Sequence, residues 1–283
     1  MRETGIFTIT LHGRLCASVE FATENLYDAA LINSGRATIA ANRSAAAVSA
    51  LFLREWKRFL AQPEHAFGQH FWRQVRARIH GDLSAIAEAT WTITARAVRS
   101  TFPTEYLAAA HGGTHLIEAA GTLPDASGVS VGNIFRKPNP ADIDRIVAMP
   151  FQGESWVERL NKHANAAQIP DAIATGLKAG RSRQEIARAI EPIVQGDRVA
   201  AMRIARTYAH AVNVRMQEES QVKLLGNAIA GWKYKATLDN RTRPKHAARD
   251  GRVYKVGEPR PALPDGWNCR CVYLAVAKTF ADL

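Results

Sequence analysis

The stretch that decides the fold runs from Gly231 to Cys271 and reads GWKYKATLDNRTRPKHAARDGRVYKVGEPRPALPDGWNCRC. Its opening residues alternate between apolar and polar, and the apolar ones are Trp232, Tyr234, Ala236 and Leu238. This period of two predicts a half-buried strand. The segment DNRTRPKHAARDG that follows is rich in side chains that hydrogen-bond a turning backbone, and the stretch ends in Cys-Arg-Cys. We therefore expect a small β-rich unit that holds either a functional site or a polar network fixing its shape.

The residues before this stretch follow helical spacing instead. Between positions 26 and 102, apolar side chains recur every three or four residues in two runs, namely Val48, Phe52, Trp56 and Phe59, then Phe67, Phe71, Val75 and Ile79. This pattern predicts two or three amphipathic helices with breaks at 62–63 and 81–82. Further along, Ser182 and Glu185 have the spacing of a capping box, and a long helix is expected to end near Leu225.

Together these patterns predict an α+β protein, with a mainly helical N-terminal two-thirds followed by a small antiparallel β-rich C-terminal unit. A short alternating run at 6–11 predicts a leading strand. Glycine, serine and proline are concentrated at 121–140, which is typical of a domain boundary or a long loop. The expected organisation is a helical region at 1–130 with that leading strand, then a domain at 131–283 with helices at 141–225 and the β-rich unit at 231–283.

Composition narrows the setting in which the protein works. The chain has 283 residues, a net charge of +11 and three cysteines. It contains no run of eighteen apolar residues and no signal-peptide pattern, so we expect a protein made in a reducing cytosol. Cys269 and Cys271 are too close for an unstrained disulfide with each other. The last 53 residues carry +6 of the net charge, which favours a polyanionic partner for this part of the chain.

Several spaced blocks of the C-terminal stretch carry a resemblance to a known family. WKYKATLDNRTRP-x-H, then DGRVY, then GWNCRC resemble the phage Mu F-like minor head proteins, also called phage head morphogenesis proteins. GRSRQEIA followed by Ala-Arg-Thr at 205–207 is similar to the same pattern. Many family members have an acidic residue after that threonine, whereas this chain has Tyr208, so no acid–base role is expected there.

The resemblance implies a structural protein rather than an enzyme, without catalytic residues. It implies a minor capsid protein of a tailed phage, made in the bacterial host cytoplasm and placed inside the head near the portal, where it aids assembly or DNA delivery. The implied partners are the portal protein, the major capsid protein and packaged double-stranded DNA, with no membrane in the assembled head. Some members carry a toxin or enzyme beyond the Cys-Arg-Cys block, and the residues after Cys271 are expected to be too few for one.

Basic side chains interleaved with aromatic ones predict non-specific contact with DNA phosphates. The predicted DNA-binding residues are Lys233, Lys235, Arg241, Arg243, Lys245, Arg249, Arg252 and Lys255. Lys233 and Lys235 are expected on one strand face, with Lys255 joining them from a second strand. No recognition-helix or RNA-binding signature accompanies them, so no sequence preference is expected.

The polar residues of the same stretch predict a network that fixes the shape of the loop. Its members are Asp239, Arg241, Thr242, His246, Asp250, Gly251 and Arg270. Asp239 is expected to cap a turn, Arg241 to pair with Asp250, and Arg270 to reach backbone carbonyls. A network of this kind holds a loop-rich unit in one conformation because each unsatisfied buried group costs about 1–3 kcal/mol.

Three of the side chains in this stretch are candidate metal ligands. His246, Cys269 and Cys271 are the ligand types that zinc accepts in a tetrahedral site, with Asp239 or Asp250 as a fourth. The Cys-x-Cys spacing departs from the usual Cys-x2–4-Cys knuckle, and some family members have further cysteines where this chain has Arg243 and His246. The other interpretation is two small buried apolar side chains at a strand end, so the expectation is no cofactor, with zinc as the alternative.

An enzyme remains the main alternative to a structural protein. Asp239, His246 and Asp250 are an acid–base set, and Thr242 or Cys269 a nucleophile, for a zinc-assisted or acid–base enzyme acting on nucleic acid or nucleotide. The sequence lacks a nucleophile elbow and a P-loop. A phage-derived effector that no longer enters particles is the third possibility.

Overall fold

Three long helices carry the fold, and a small sheet follows the last of them. The computed structural model describes residues 19–111, 135–163, 168–278 and 282. Its helices are α1 (Val19–Ala61), α2 (Gln69–Thr101), α3 (Thr104–Ala110), α4 (Pro140–Ala148), α5 (Trp156–His163), α6 (Gln168–Lys178), α7 (Arg183–Leu225) and the short α8 (Pro244–Ala247). Its strands are β1 (Ile229–Lys235), β2 (Val253–Lys255) and β3 (Val272–Ala277). The predicted α+β class is therefore confirmed.

The apolar stripes of α1 and α2 meet each other and α7 in the core. Phe52 of α1 packs edge-on against Phe71 and Trp72 of α2, with ring centroids 4.8 and 5.7 Å away. Such aromatic pairs stabilise a core by about 0.5–1.5 kcal/mol beyond the area they bury. The predicted amphipathic helices are confirmed, and their apolar faces pack against each other.

One of the two predicted helix breaks is wrong. The chain does leave the helical conformation before Pro63, but α2 continues through positions 81–82. Glycine costs a helix interior only about 1 kcal/mol. Here the burial of Leu83 and an ion pair of 2.9 Å from Arg78 Nε to Asp82 one turn away offset that cost.

Capping side chains define the start of α7. Gly180 has a φ of +66°, which ends α6, and Ser182 and Glu185 form the predicted capping box. GRSRQEIA, from Arg183 onward, and the stretch containing Ala-Arg-Thr lie in one continuous helix that includes Pro192. It ends at Leu225, as predicted.

A polar seam, which the apolar periodicity does not indicate, crosses the three long helices. The Thr90 hydroxyl donates to Asn213 Oδ1 at 3.0 Å, and Asn33 Nδ2 donates to the Thr94 hydroxyl at 3.2 Å. All four side chains are buried. Since a buried polar group needs a partner, these pairs fix how α1, α2 and α7 lie against each other.

The sheet is antiparallel, in the order β2-β1-β3. Trp232 pairs with Tyr254 on one side and Ala275 on the other. The predicted alternation is confirmed for Trp232, Tyr234 and Ala236, but Leu238 lies beyond the strand and is 60% exposed. The expected leading strand at 6–11 lies outside the described residues, as does most of the predicted boundary segment, so the two-domain division stays a prediction.

Side chains of α7 hydrogen-bond to backbone groups along the outer edge of β3. His210 Nε2 donates to the Cys271 carbonyl oxygen at 3.1 Å, and Gln217 Nε2 to that of Tyr273 at 3.5 Å. Gln221 Oε1 accepts the Ala275 amide at 2.5 Å. The spacing of 7 and 4 residues keeps the three on one helix face, where they meet alternate residues of the strand. These bonds give partners to backbone N–H and C=O groups that would otherwise be unpaired at the edge of the sheet.

Arg260 joins α7 to the sheet through a half-buried ion pair. Its guanidinium donates to Glu218 Oε2 at 2.7 Å and lies over the rings of Trp232 and Tyr273, 4.7 and 4.2 Å from their centroids. Burial raises the pKa of the Glu218 carboxyl, and Arg260 opposes that rise. Glu218 therefore binds its proton more tightly in the folded protein than in the unfolded chain.

We expect Glu218→Gln to change the pH dependence of stability. As pH rises above about 4.3, the unfolded state loses the Glu218 proton before the folded state does. The free energy of unfolding therefore falls progressively with pH until pH passes the raised pKa of the folded state. The difference in unfolding free energy, variant minus wild type, should therefore increase with pH across this window. Urea unfolding between pH 4 and 8 measures it, with Glu219→Gln as the control for loss of one charge. Parallel curves for Glu218→Gln and wild type would contradict the assignment.

Candidate functional site

The candidate site is a cluster of one histidine and two cysteines, all buried. His246 Nδ1 lies 3.1 Å from Cys271 Sγ and 3.8 Å from Cys269 Sγ. The three ligand atoms all lie within 4.8 Å of one another. The structure therefore brings together the three residues that the sequence predicts as metal ligands.

Local backbone features place these side chains. Pro244 starts the short helix α8, which presents His246, since a proline suits the first turn of a helix. Gly266 and Asn268 have φ values of +97° and +57° and turn the chain into the first cysteine. Cys269 and Cys271 then lead directly into β3. Alternate residues of an extended segment point to the same side, which brings both sulfurs toward His246.

Other polar groups surround the cluster. His210 approaches from α7 through its bond to the Cys271 carbonyl, and burial lowers the pKa of its imidazole. On the opposite side of the His246 ring, Nε2 lies 3.6 Å from Asp265 Oδ2. Asp265 is itself held by Lys245 at 3.0 Å and Arg249 at 2.9 Å. Sequence reasoning missed both His210 and Asp265.

The two thiols differ in acidity because they share a hydrogen bond. The neighbouring Cys271 lowers the pKa of the Cys269 thiol. The same contact, together with burial, raises the pKa of Cys271. The direction of the two shifts therefore makes Cys269 the more acidic thiol of the pair.

The loop after β1 is held by Asp239 and Arg270. Two guanidinium nitrogens of Arg270 donate to the two carboxylate oxygens of Asp239 at 2.5 and 2.7 Å. This ion pair holds the pKa of Asp239 well below its usual range. Asp239 Oδ1 also accepts the Arg241 amide at 3.0 Å, which confirms the predicted turn cap. The expectation that Arg270 reaches backbone carbonyls is wrong, because a carboxylate offers it a bidentate, charge-assisted partner.

The predicted pair of Arg241 with Asp250 is also wrong. Asp250 accepts from Lys235 Nζ at 3.0 Å and from the Ala236 amide at 2.8 Å. Lys235 stands at the end of β1 beside this carboxylate. Gly251, with a φ of +82°, returns the chain to β1 through a 2.9 Å bond from its amide to the Tyr234 carbonyl.

The acid–base set considered in the sequence does not assemble. Asp239 and Asp250 are each bound to a cation, and the carboxylate that faces His246 is Asp265. The Thr242 hydroxyl is 3.2 Å from both Asp239 Oδ1 and the Thr237 carbonyl oxygen, so it stabilises the turn after β1. Cys269, with its lowered pKa, is the one member of that set with nucleophilic character.

Many of the predicted DNA-binding cations contact other groups of the chain. These contacts are Lys235 with Asp250, Arg243 with the carbonyl oxygens of Asp265 and Trp267, Lys245 and Arg249 with Asp265, and Arg252 with Glu258. Within the described part of the chain, Lys233, Arg241 and Lys255 have no acidic partner. The register places Lys255 opposite Gly231, so Lys233, Lys235 and Lys255 share one sheet face, as predicted.

A cavity of about 160 Å³ opens beside the histidine–cysteine cluster. Its walls contain both cysteines, His246 and three arginines, namely Arg241, Arg243 and Arg270. The other lining residues are Thr237, Thr242 and Asn268. The cavity is thus polar and positively charged, which suits an anion or a water molecule.

Comparison with known families agrees with the blocks that this site contains. Residues 167–274 match the model of the family described as Phage Mu protein F like protein. This segment of the chain is therefore similar to the Mu F-like family. The resemblance predicted from the sequence is confirmed, and the matched segment includes α7, β1, β2, the first half of β3 and the whole histidine–cysteine cluster.

Three curated relatives share part of the chain. The NAD(+)–arginine ADP-ribosyltransferase EFV of Enterococcus faecalis is 33% identical over 151 residues, covering 47% of this chain and 31% of the transferase. An uncharacterized protein of Haemophilus influenzae is 26% identical over 163 residues, covering 56% and 35%. The minor head protein GP7 of Bacillus phage SPP1 is 31% identical over 124 residues, covering 38% and 40%. The chain thus spans between about a third and two-fifths of the length of these relatives.

No solved structure matches the chain. Among the described residues, no helix is long and apolar enough to cross a lipid bilayer.

Proposed function

We propose that the chain is a minor head protein of a tailed phage, located inside the capsid near the portal. The observation that carries this proposal is the match of the Mu F-like domain, together with the likeness to the SPP1 minor head protein. The portal protein, the major capsid protein and packaged DNA are its proposed partners. Three long packed helices followed by a small basic unit suit a protein that joins a shell component to DNA.

A head protein at the portal should be lost when the portal is lost. Heads assembled by the phage that encodes this chain, with and without its portal gene, can be separated on gradients and probed for the chain. We expect the chain in portal-containing heads and its absence from portal-free shells. Equal amounts in both kinds of head would contradict the portal contact and indicate retention by the shell alone.

The proposed DNA contact lies on the sheet face and the turn beside it. Lys233 and Lys255 lie diagonally across β1 and β2, and Arg241 is exposed on the turn after β1. Since each phosphate contact releases condensed counterions, three such cations give a log–log salt slope of about −2.7. The contact is sequence-independent because these groups meet phosphates and no base-reading element accompanies them.

Replacing Lys233, Arg241 and Lys255 together with glutamine should weaken DNA binding and flatten its salt dependence by up to about 2.7 units of slope. Fluorescence anisotropy with a random DNA duplex measures the affinity and its salt slope. The salt concentration is varied over roughly 50–200 mM, where phosphate contacts change the affinity strongly. The matched control replaces Arg54, Lys57 and Arg73, which are exposed on α1 and α2, and lowers the net charge equally. If both triple variants lose the same affinity, net charge explains the binding and the assigned face is wrong.

We propose that the segment shared with the E. faecalis transferase is a head-protein-like module and carries no transferase activity of its own. The chain covers 31% of that relative, which leaves most of the transferase outside the match. Incubation with labelled NAD and an arginine acceptor tests this point. Label transfer that depends on Cys269 or His246 would replace the structural role with an enzymatic one.

A further inference from the structure

We propose that His246 Nδ1 and the Cys269 and Cys271 thiolates bind one zinc ion, whose fourth coordination position opens onto the arginine-lined cavity. Metal binding at this cluster is independent of the head-protein role, because all three ligands come from one chain and no phage particle is needed to measure it.

The ligand atoms already stand at the separations that zinc requires. With Zn–S of roughly 2.3 Å and Zn–N of roughly 2.0 Å, tetrahedral ligands lie about 3.5–3.8 Å from one another. The distances from His246 Nδ1 to the two sulfurs are 3.1 and 3.8 Å, and no pair in the cluster exceeds 4.8 Å. Small side-chain shifts are therefore enough to close the site around the ion.

The second nitrogen of His246 supports the same assignment. Nε2 is buried without a hydrogen-bond partner and faces Asp265 Oδ2 at 3.6 Å. A zinc-bound histidine commonly directs its other ring N–H to a carboxylate, which fixes the tautomer and the ring orientation. Asp265 is positioned for that role because Lys245 and Arg249 hold it from the other side. A histidine that only filled space would not need a carboxylate at this position.

Charge also balances in this arrangement. Two thiolates neutralise the divalent ion, whereas two buried thiolates without metal would face an uncompensated charge. Asp239 does not supply the fourth ligand, because Arg270 binds both of its carboxylate oxygens. The cavity therefore supplies it, as a water molecule or a small anion, and the surrounding arginines Arg241 and Arg243 favour an anionic ligand.

Metal analysis of protein purified under reductant tests the site. We expect about one equivalent of zinc in the wild type and less than about a tenth in Cys269→Ser, Cys271→Ser or His246→Gln. Cys16→Ser removes the third cysteine of the chain and is the matched control, which should keep its zinc. Absence of zinc from the wild type after loading, or zinc that survives Cys269→Ser and Cys271→Ser, would overturn the proposal.

Two measurements on the wild-type sequence guard against variants that fail to fold. Cobalt loading should produce intense tetrahedral d–d bands with thiolate charge transfer, and azide should shift them if the fourth position is open. A spectrum that does not respond to azide would refute the open position. Chelation should expose Cys269 and Cys271 to alkylation, with Cys16 as the internal reference; equal alkylation with and without zinc would refute thiolate ligation.

Discussion

Gly226→Ala is expected to lower the free energy of unfolding by about 2–4 kcal/mol. Gly226 connects α7 to the sheet with φ +50° and ψ −127°, a conformation that side chains rarely adopt. A Cβ there would also lie 2.7 Å from the Ala110 carbonyl oxygen. Because backbone lies on both sides of the overlap, either α3 or the start of β1 must move. Urea or thermal unfolding monitored by circular dichroism measures the loss.

Gly196→Ala is the matched control for Gly226→Ala. Gly196 lies inside α7, is exposed, and has open space where the Cβ would be. Alanine is favoured over glycine in a helix interior, so this change should stabilise the protein by up to about 1 kcal/mol. Opposite signs for the two changes would confirm that the junction conformation sets the cost. Equal effects would show that Gly226 is not constrained as described.

Gln221→Leu is expected to lower the free energy of unfolding by about 1–3 kcal/mol, because it leaves the buried Ala275 amide without an acceptor. Leucine nearly keeps the volume of glutamine, so the change tests the hydrogen bond rather than packing. The bond is short, at 2.5 Å, and it closes the outer edge of β3. Hydrogen exchange at the Ala275 amide should accelerate more than exchange elsewhere in the sheet.

The control for this change is the same substitution elsewhere on the helix. Gln195 lies on an exposed face of α7, and Gln195→Leu should alter stability by no more than about 0.5 kcal/mol. Unchanged protection of Ala275 in Gln221→Leu would contradict the role given to Gln221.

The order of the helices and strands along the chain could be predicted because it depends on local patterns. The capping box of α7, the end of that helix near Leu225 and the alternation of β1 each follow from neighbouring residues. The three candidate metal ligands were also predicted, since their chemistry is visible in the residue types. The groups around them were not visible, because His210 and Asp265 come near the cluster only through the fold.

Predictions that relied on single residues or on pairing partners were less reliable. Gly81 does not break α2, because tertiary burial outweighs its weak propensity. Arg270 pairs with Asp239, and Asp250 pairs with Lys235; only folding brings these partners together. The glutamines and the histidine that α7 presents to β3 looked like ordinary helix residues, and nothing in their spacing alone indicated that a strand edge lay beside them.

Absolute quantification of the chain in purified heads and mature particles tests the central claim most directly. Isotope-labelled peptides from the chain, the portal protein and the major capsid protein would give its copy number per portal ring. A head protein located near the portal predicts a low and constant number of copies in every preparation of heads. Absence of the chain from both heads and mature particles would contradict that role and leave the Mu F-like domain as a trace of ancestry.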